Sequence, residues 1–293
     1  MPSSVDCLLC LVRQSLDAAR FASDDPAMHQ KVVRDVMQLV LDEPADVIPP
    51  VIGQKIHRLI RQRTGNPDPY IEGKRRSNEA LLEMFDTLHN EVFSSDNPFE
   101  TAIRFAIAGN TIDFALGKPS PDIVERAFAE ARVRPINGNV ALFRQKFDAA
   151  KSILYLTDNA GEIVCDRLFI ELLRKERPEC NLTVAVRGRP ILNDALREDA
   201  ETVGLTKLVP VIDNGNDALG TMLEQCSEEF LQYFQSVDLV ISKGLANYET
   251  LIENTGPIVP RDIVYLFKSK CPFISHFAGT QVGDLVVVCP NAN

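Results

Sequence analysis

The chain has 293 residues, of which 45% are hydrophobic and 25% charged, and it carries a formal net charge of -10. This is ordinary globular material, enough for one large core or two smaller ones, and disorder is not expected. The acidic balance argues against general nucleic-acid or anionic-membrane binding, since a polyanion needs a basic face to release counterions, and no stretch has the layout of a secretory signal or approaches the roughly 20 apolar residues of a membrane span.

A soluble, cytoplasmic protein is therefore expected, and its first half reads as helical. Val5 to Phe21 places Leu8, Leu9, Val12, Leu16 and Ala19 at helical spacing opposite Arg13, Asp17 and Arg20. A second helix is predicted over 27–41 and, after Pro44, Pro49 and Pro50, a third over 51–63. The run Thr64-Gly65-Asn66-Pro67-Asp68-Pro69 marks a turn. One long, polar-faced helix is expected over 74–93, then a largely apolar and buried one over 99–116. Ser120-Pro121-Asp122 begins another with a cap residue, a proline and an early acid.

From about residue 152 the texture changes. Candidate strands are 152–157, 182–187, 207–212, 237–242, 271–275 and 284–289, with helices over 162–176, 190–203, 216–235 and 258–269. Such alternation implies an α/β fold, a doubly wound, Rossmann-like, largely parallel sheet, preceded by an all-helical N-terminal domain. The expected division is 1–145 helical and 146–293 α/β.

Three of these strand ends carry chemistry. The apolar run Ile153 to Leu156 delivers Thr157-Asp158-Asn159 and then, through Ala160-Gly161, a helix from Glu162. In open α/β sheets the ligand crevice lies outside the carboxyl ends of the strands. Gly161 allows close backbone approach, and the helix start offers N–H groups to an anion. The next strand is followed by Arg187-Gly188-Arg189-Pro190-Ile191-Leu192-Asn193-Asp194, and a later one ends in Ser242-Lys243-Gly244, ahead of Asn247 and Glu249. Two carboxylates and an amide oxygen suit a hard divalent cation, and a lysine on the same rim suits a phosphoryl group. The competing readings are plain ones: Asp158, Asn159 or Asp194 capping a helix, and Lys243 solvated.

Those residues also carry a resemblance. The segments LTDNAGEIVCDRLFIELL, AVRGRPILNDAL and ISKGLANYETL, with AIRFAIAGNTIDF and the early CLLCLVRQ, resemble the DUF89 family, the metal-dependent damage-control phosphatases, and in particular its stand-alone archaeal and bacterial branch. The resemblance implies a divalent metal (Mn²⁺, Co²⁺, Ni²⁺ or Mg²⁺) held by Asp158, Asn159 and Asp194, with Lys243 on the phosphate. It also implies hydrolysis of small phosphorylated metabolites, sugar phosphates and damaged phosphopantetheine compounds among them. The attacking group is then either a water or Asp158 itself, through an aspartyl-phosphate.

Further candidates for substrate contact are Arg187, Asn193, Asn247 and Glu249, and Asn110 with Asp113 from the helical half. Glu162 reads first as an early-turn helix acid, with a supporting role behind the metal as the alternative. Cys7-x-x-Cys10 lacks the second ligand pair that a zinc site requires, and the seven cysteines are expected to be reduced. The four histidines, His29, His57, His89 and His276, show no ligand spacing. A Rossmann-type methyltransferase or dehydrogenase would need a glycine-rich turn after the first strand, and Asp-Asn-Ala-Gly-Glu has one glycine only. A non-catalytic protein that binds phosphorylated metabolites is the remaining alternative.

Overall fold

Ser4 and Asp25 each accept an N–H from the first turn of the helix that follows, and Pro26 and Pro49 occupy first helical positions, so local chemistry sets where the opening helices start. In the computed structural model, which describes residues 4–44, 46–111, 121–254 and 262–290, these helices are α1 (Val5–Ala22), α2 (Pro26–Asp42) and α3 (Pro49–Thr64). Gly65 closes the last in left-handed backbone. Leu11, Ala18, Val32, Val36, Ile52, Ile56 and Ile60 form a core among these three helices.

The helix expected over 74–93 is two helices, α4 (Ile71–Leu82) and α5 (Phe85–Ser94), joined at Glu83 and Met84. No glycine or proline announces the bend, which lets Leu81 on one and Leu88 and Val92 on the other reach the same core. Next comes α6 (Pro98–Ala108), capped by Asn97 and buried along most of its length, and it ends in a 3-10 turn at Gly109–Thr111. The remainder of the expected 99–116 helix, with Asp113 and the cap residue Ser120, lies outside the described residues. The helical half continues with α7 (Pro121–Val133) and α8 (Val140–Ala149).

The sheet comprises β1 (Ile136–Gly138), β2 (Ser152–Leu156), β3 (Asn181–Val186), β4 (Val211–Asp213), β5 (Leu239–Lys243), β6 (Asp262–Lys268) and β7 (Leu285–Val288). Their order is β1-β7-β6-β5-β2-β3-β4, and every neighbouring pair is parallel except β6 with β7. Connecting helices are α9 (Glu162–Glu176), α10 (Arg197–Thr202), α11 (Glu228–Ser236), α12 (Leu245–Leu251) and α13 (Pro272–Phe277). Along β2 the side chains alternate, Ile153 and Tyr155 entering one core, Leu154 and Leu156 the other, so both faces are covered. This is the expected α/β, doubly wound, largely parallel architecture.

Two expectations late in the chain are reversed. Residues 262–268, expected inside a helix, are strand β6, and 271–275, expected as a strand, mostly form α13, with Pro272 at its first position. A buried strand is apolar without interruption and carries no periodicity that separates it from a buried helix. The helix expected over 190–203 shrinks to α10, and that over 216–235 to α11 after a 3-10 turn, because both stretches begin as loops at the crevice. The expected boundary near 145 falls within a shared core, where Leu81, Phe105 and Phe143 pack with Ile153 and Tyr155.

From β2 the chain winds outward through β3 to β4, and from β5 it winds the opposite way to β6. The order therefore reverses between β2 and β5, and the crevice opens at their carboxyl ends.

Candidate active site

At that reversal the loop after β2 and the loop after β3 are joined by backbone. The Ala160 N–H donates to the Asn193 carbonyl and the Ala195 N–H to the Asp158 carbonyl, each at 2.8 Å. Asn159 and Asp194 form an antiparallel bridge. Asp158 and Asp194, 36 positions apart in sequence, thus emerge side by side. Gly161 turns the chain into α9 at φ 78°, ψ -63°, and its N–H goes to Asn78 Oδ1 at 2.7 Å. The helix start is consequently not the open anion cradle expected, because the Gly161, Ile163 and Val164 donors are already bound within the protein.

Side chains extend this junction into a buried network. Asn110 Nδ2 donates to Asp158 Oδ2 at 2.7 Å and to Glu162 Oε2 at 2.5 Å. Asn159 Nδ2 donates to the same two oxygens at 2.9 and 3.2 Å. Arg187 pairs through Nε with Asp194 Oδ2 at 2.7 Å and reaches Asn247 Oδ1 through Nη2 at 3.1 Å. Asn247 is saturated: it also accepts from the Thr221 hydroxyl and donates to the Thr157 and Lys243 carbonyls.

Lys243 differs from its expected role. It is fully buried, and its three donors go to Glu162 Oε1 and Asp166 Oδ1, both at 2.6 Å, and to the Ala106 carbonyl at 2.7 Å. An ammonium has only three N–H groups, so none remains for a phosphate. Burial works against its charge, but Asp166 and Glu162 outweigh burial and push its pKa up. Asp166 also accepts the Tyr155 hydroxyl at 2.6 Å. Lys243 therefore anchors the floor of the site.

The remaining expectations divide. Asn110 joins the centre directly, and Arg187 is a buried partner of Asp194 rather than a surface arm. Asn193 contributes its backbone carbonyl. Glu249 is half-buried, and among the described residues no hydrogen bond or ion pair ties it to this group. It follows Asn247 by two helical positions, a rotation of about 200°, and so faces away from it. The sequence reading missed three contributors: Asp166, Asn78 and Lys270. Lys270 is exposed just beyond β6, and its charge acts on Asp158. Among the described residues no ion pair engages it.

The electrostatics are lopsided. Asp158 is pushed up to about 8 by burial and by Glu162 and Asp194. Burial raises Asp194 as well, against the pull of Arg187, and lifts Asp166 to about 6 against Lys243. With Glu162, these carboxyls outnumber their buried cationic partners Lys243 and Arg187, and Asp158, Asp166 and Asp194 so hold protons more tightly than isolated ones.

The Damage-control phosphatase ARMT1-like domain model matches residues 3–286. The chain belongs to this family. Similar proteins include an uncharacterized protein of Methanocaldococcus jannaschii, 35% identical over 97% of this chain and 94% of that one. A damage-control phosphatase of Archaeoglobus fulgidus is 31% identical over 96% of both chains, and one of Pyrococcus horikoshii is 32% identical over 98% of this chain and 97% of that one. The crystal structure of a DUF89 family protein from Pyrococcus horikoshii superposes with a TM-score of 0.88 at 31% identity, covering 100% of both chains. The family relationship therefore spans the helical half as well as the sheet.

Proposed function

We propose that this chain is a divalent-metal-dependent phosphatase acting on small phosphorylated metabolites, sugar phosphates or damaged phosphopantetheine-type compounds. The observation that carries this reading is the charge of the buried site. Four carboxyls there, Asp158, Glu162, Asp166 and Asp194, face two buried cations, Lys243 and Arg187, so full ionisation would leave an excess of two negative charges. Burying that excess uncompensated is costly, which is why Asp158 is pushed up to about 8 and keeps its proton near neutral pH; one divalent cation would balance the ionised set and take that proton's place.

The donor set fits a hard ion. Asp158, Asn159 and Asp194 offer oxygen, and the Asn159 amide nitrogen is already engaged, which leaves its oxygen for a cation. The set contains two carboxylates and an amide; among the described residues no group of three His, Cys, Asp or Glu side chains is arranged as a metal site. When bound, Mn²⁺, Co²⁺, Ni²⁺ or Mg²⁺ at this position would polarise a phosphoryl oxygen and lower the pKa of a coordinated water.

The chain's own residues prepare the rest. Asn110 and Asn159 hold Asp158 Oδ2, so Oδ1 is the oxygen left to face the ion or the phosphorus. Arg187 holds Asp194 in the same way. Lys270, exposed at the carboxyl end of β6, takes the phosphate-attracting role that the buried Lys243 cannot fill. Hydrolysis proceeds either by attack of water on phosphorus or by attack of Asp158 Oδ1, which expels the ester oxygen and leaves an aspartyl-phosphate for water to cleave. Single-turnover reaction quenched with borohydride separates these routes, since only an aspartyl-phosphate is reduced, which converts the side chain at position 158 to homoserine.

The deciding test is phosphate release from p-nitrophenyl phosphate with each of the four metals and with chelator. A panel of sugar phosphates and phosphopantetheine derivatives then follows. Release that requires metal is expected. No release with any of the four would leave the chain a binding protein for phosphorylated metabolites.

A further inference from the structure

Helix α4 is polar along much of its length, yet Lys74, Ser77 and Asn78 on it are buried. Lys74 is paired with Asp68 at 2.6 Å, which pins the helix in place. One turn on, Asn78 is 1% exposed and reaches both loops of the candidate site. Its Oδ1 accepts the Gly161 N–H at 2.7 Å, and its Nδ2 donates to Asp199 Oδ1 at 2.7 Å. Asp199 Oδ2 in turn accepts the Leu196 N–H at 2.9 Å.

These contacts fall at matching places. Gly161 lies two residues beyond Asn159, and Leu196 two residues beyond Asp194. The two loops are already bridged by backbone near Asp158 and Asn193, and Asn78 with Asp199 closes a second, side-chain bridge where both loops pass into helices. The orientation of the Asn78 amide is fixed by its partners, since a backbone N–H only donates and a carboxylate only accepts.

We propose that Asn78 is a positioning residue that sets the spacing between the Asp158-Asn159 loop and the Asp194 loop, and through that spacing the affinity for the divalent ion. This rests on the metal-dependent reading above. Groups that orient metal ligands typically change affinity by about 10- to 100-fold when removed.

The test is calorimetric titration of metal-stripped protein with Mn²⁺ alone, alongside thermal unfolding. Asn78→Ala is expected to weaken Mn²⁺ binding by about tenfold or more. Asn139→Ala serves as the comparison. It removes the side-chain cap of α8, far from these loops, and is expected to lower the unfolding temperature with Mn²⁺ affinity unchanged.

A charge-preserving exchange covers the case in which Asn78→Ala does not fold. N78D alone sets two carboxylates face to face and is expected to weaken Mn²⁺ binding. N78D/D199N moves the amide donor to position 199 and the acceptors to position 78, and is expected to restore binding to within about threefold of wild type. If wild type binds Mn²⁺ and Asn78→Ala binds it equally well, or if the double exchange binds no better than N78D, the positioning role is overturned. If wild type binds no divalent ion, the metal-dependent reading falls and this inference with it.

Discussion

Gly244 sits directly against the carboxylate of Asp158. A Cβ built on it would lie 2.0 Å from Asp158 Oδ2, and its φ of 82° is one that L side chains rarely adopt. The loop after β5 thus forms a wall that confines the acid after β2 to one position. Gly244→Ala is expected to cost about 1–3 kcal/mol in backbone strain and to displace the carboxylate, lowering kcat/KM by roughly 100-fold. Urea unfolding and steady-state kinetics measure both effects, and full activity in this variant would show that Asp158 tolerates displacement.

Lys243→Met leaves Glu162 and Asp166 buried and facing each other without their shared cation. The expected loss is about 3–5 kcal/mol of stability. A lysine that gripped substrate would behave otherwise, raising KM and weakening inhibition by inorganic phosphate while leaving the unfolding temperature in place. Thermal unfolding together with phosphate inhibition distinguishes the two roles.

Lys270→Ala should give the converse pattern. The side chain is exposed, so stability is expected to stay within about 0.5 kcal/mol of wild type. Loss of a charge-assisted contact to phosphate is worth about 1.5–3 kcal/mol, which corresponds to a rise in KM of about 10- to 100-fold. An unchanged KM would remove Lys270 from the substrate site.

His57 supplies a pH dependence separate from the carboxyls of the candidate site. Burial, and then the charge of Arg61, push its pKa down to about 3 from an ordinary 6.5. The unfolded chain therefore takes up the proton first, and the stabilising contribution present above about pH 6.5 is lost as pH falls toward about 3. The slope is about 1.4 kcal/mol per pH unit. Relative to His57→Leu, wild type should lose about 2 kcal/mol between pH 7 and pH 5, read from urea unfolding at each pH. A difference that stays constant over that interval would mean that the ring is protonated in the native state.

The sequence made the edge that carries the candidate site legible because strand, acid and glycine adjoin one another there. Asp158, Asn159 and Asp194 follow uninterrupted apolar runs, and strand ends in a parallel sheet share a rim. The direction of a side chain at such an end was not legible. Lys243 and Lys270 both follow apolar stretches, but one turns inward to Glu162 and Asp166 while the other stays in solvent. Only the position of α6 and α9 behind β5 decides this, and that is a long-range fact. Asn78 was hidden for a related reason, since a polar residue in a polar-faced helix carries no mark of the loops it meets. The exchange of strand and helix at β6 and α13 arose because a fully buried strand has no solvent-facing positions to give it a period.

Leu192 carries one further consequence. It holds a φ of 45°, rare for a residue with a branched side chain, while its side chain packs against the core of α1 to α3. Arg61 of α3 donates to the Pro190 carbonyl two positions earlier, at 2.8 Å. The bend that presents Asp194 is therefore imposed by helices more than a hundred residues upstream, and a fragment cut down to the sheet and its flanking helices would let this bend relax. The opening helices thereby take part in shaping the candidate site.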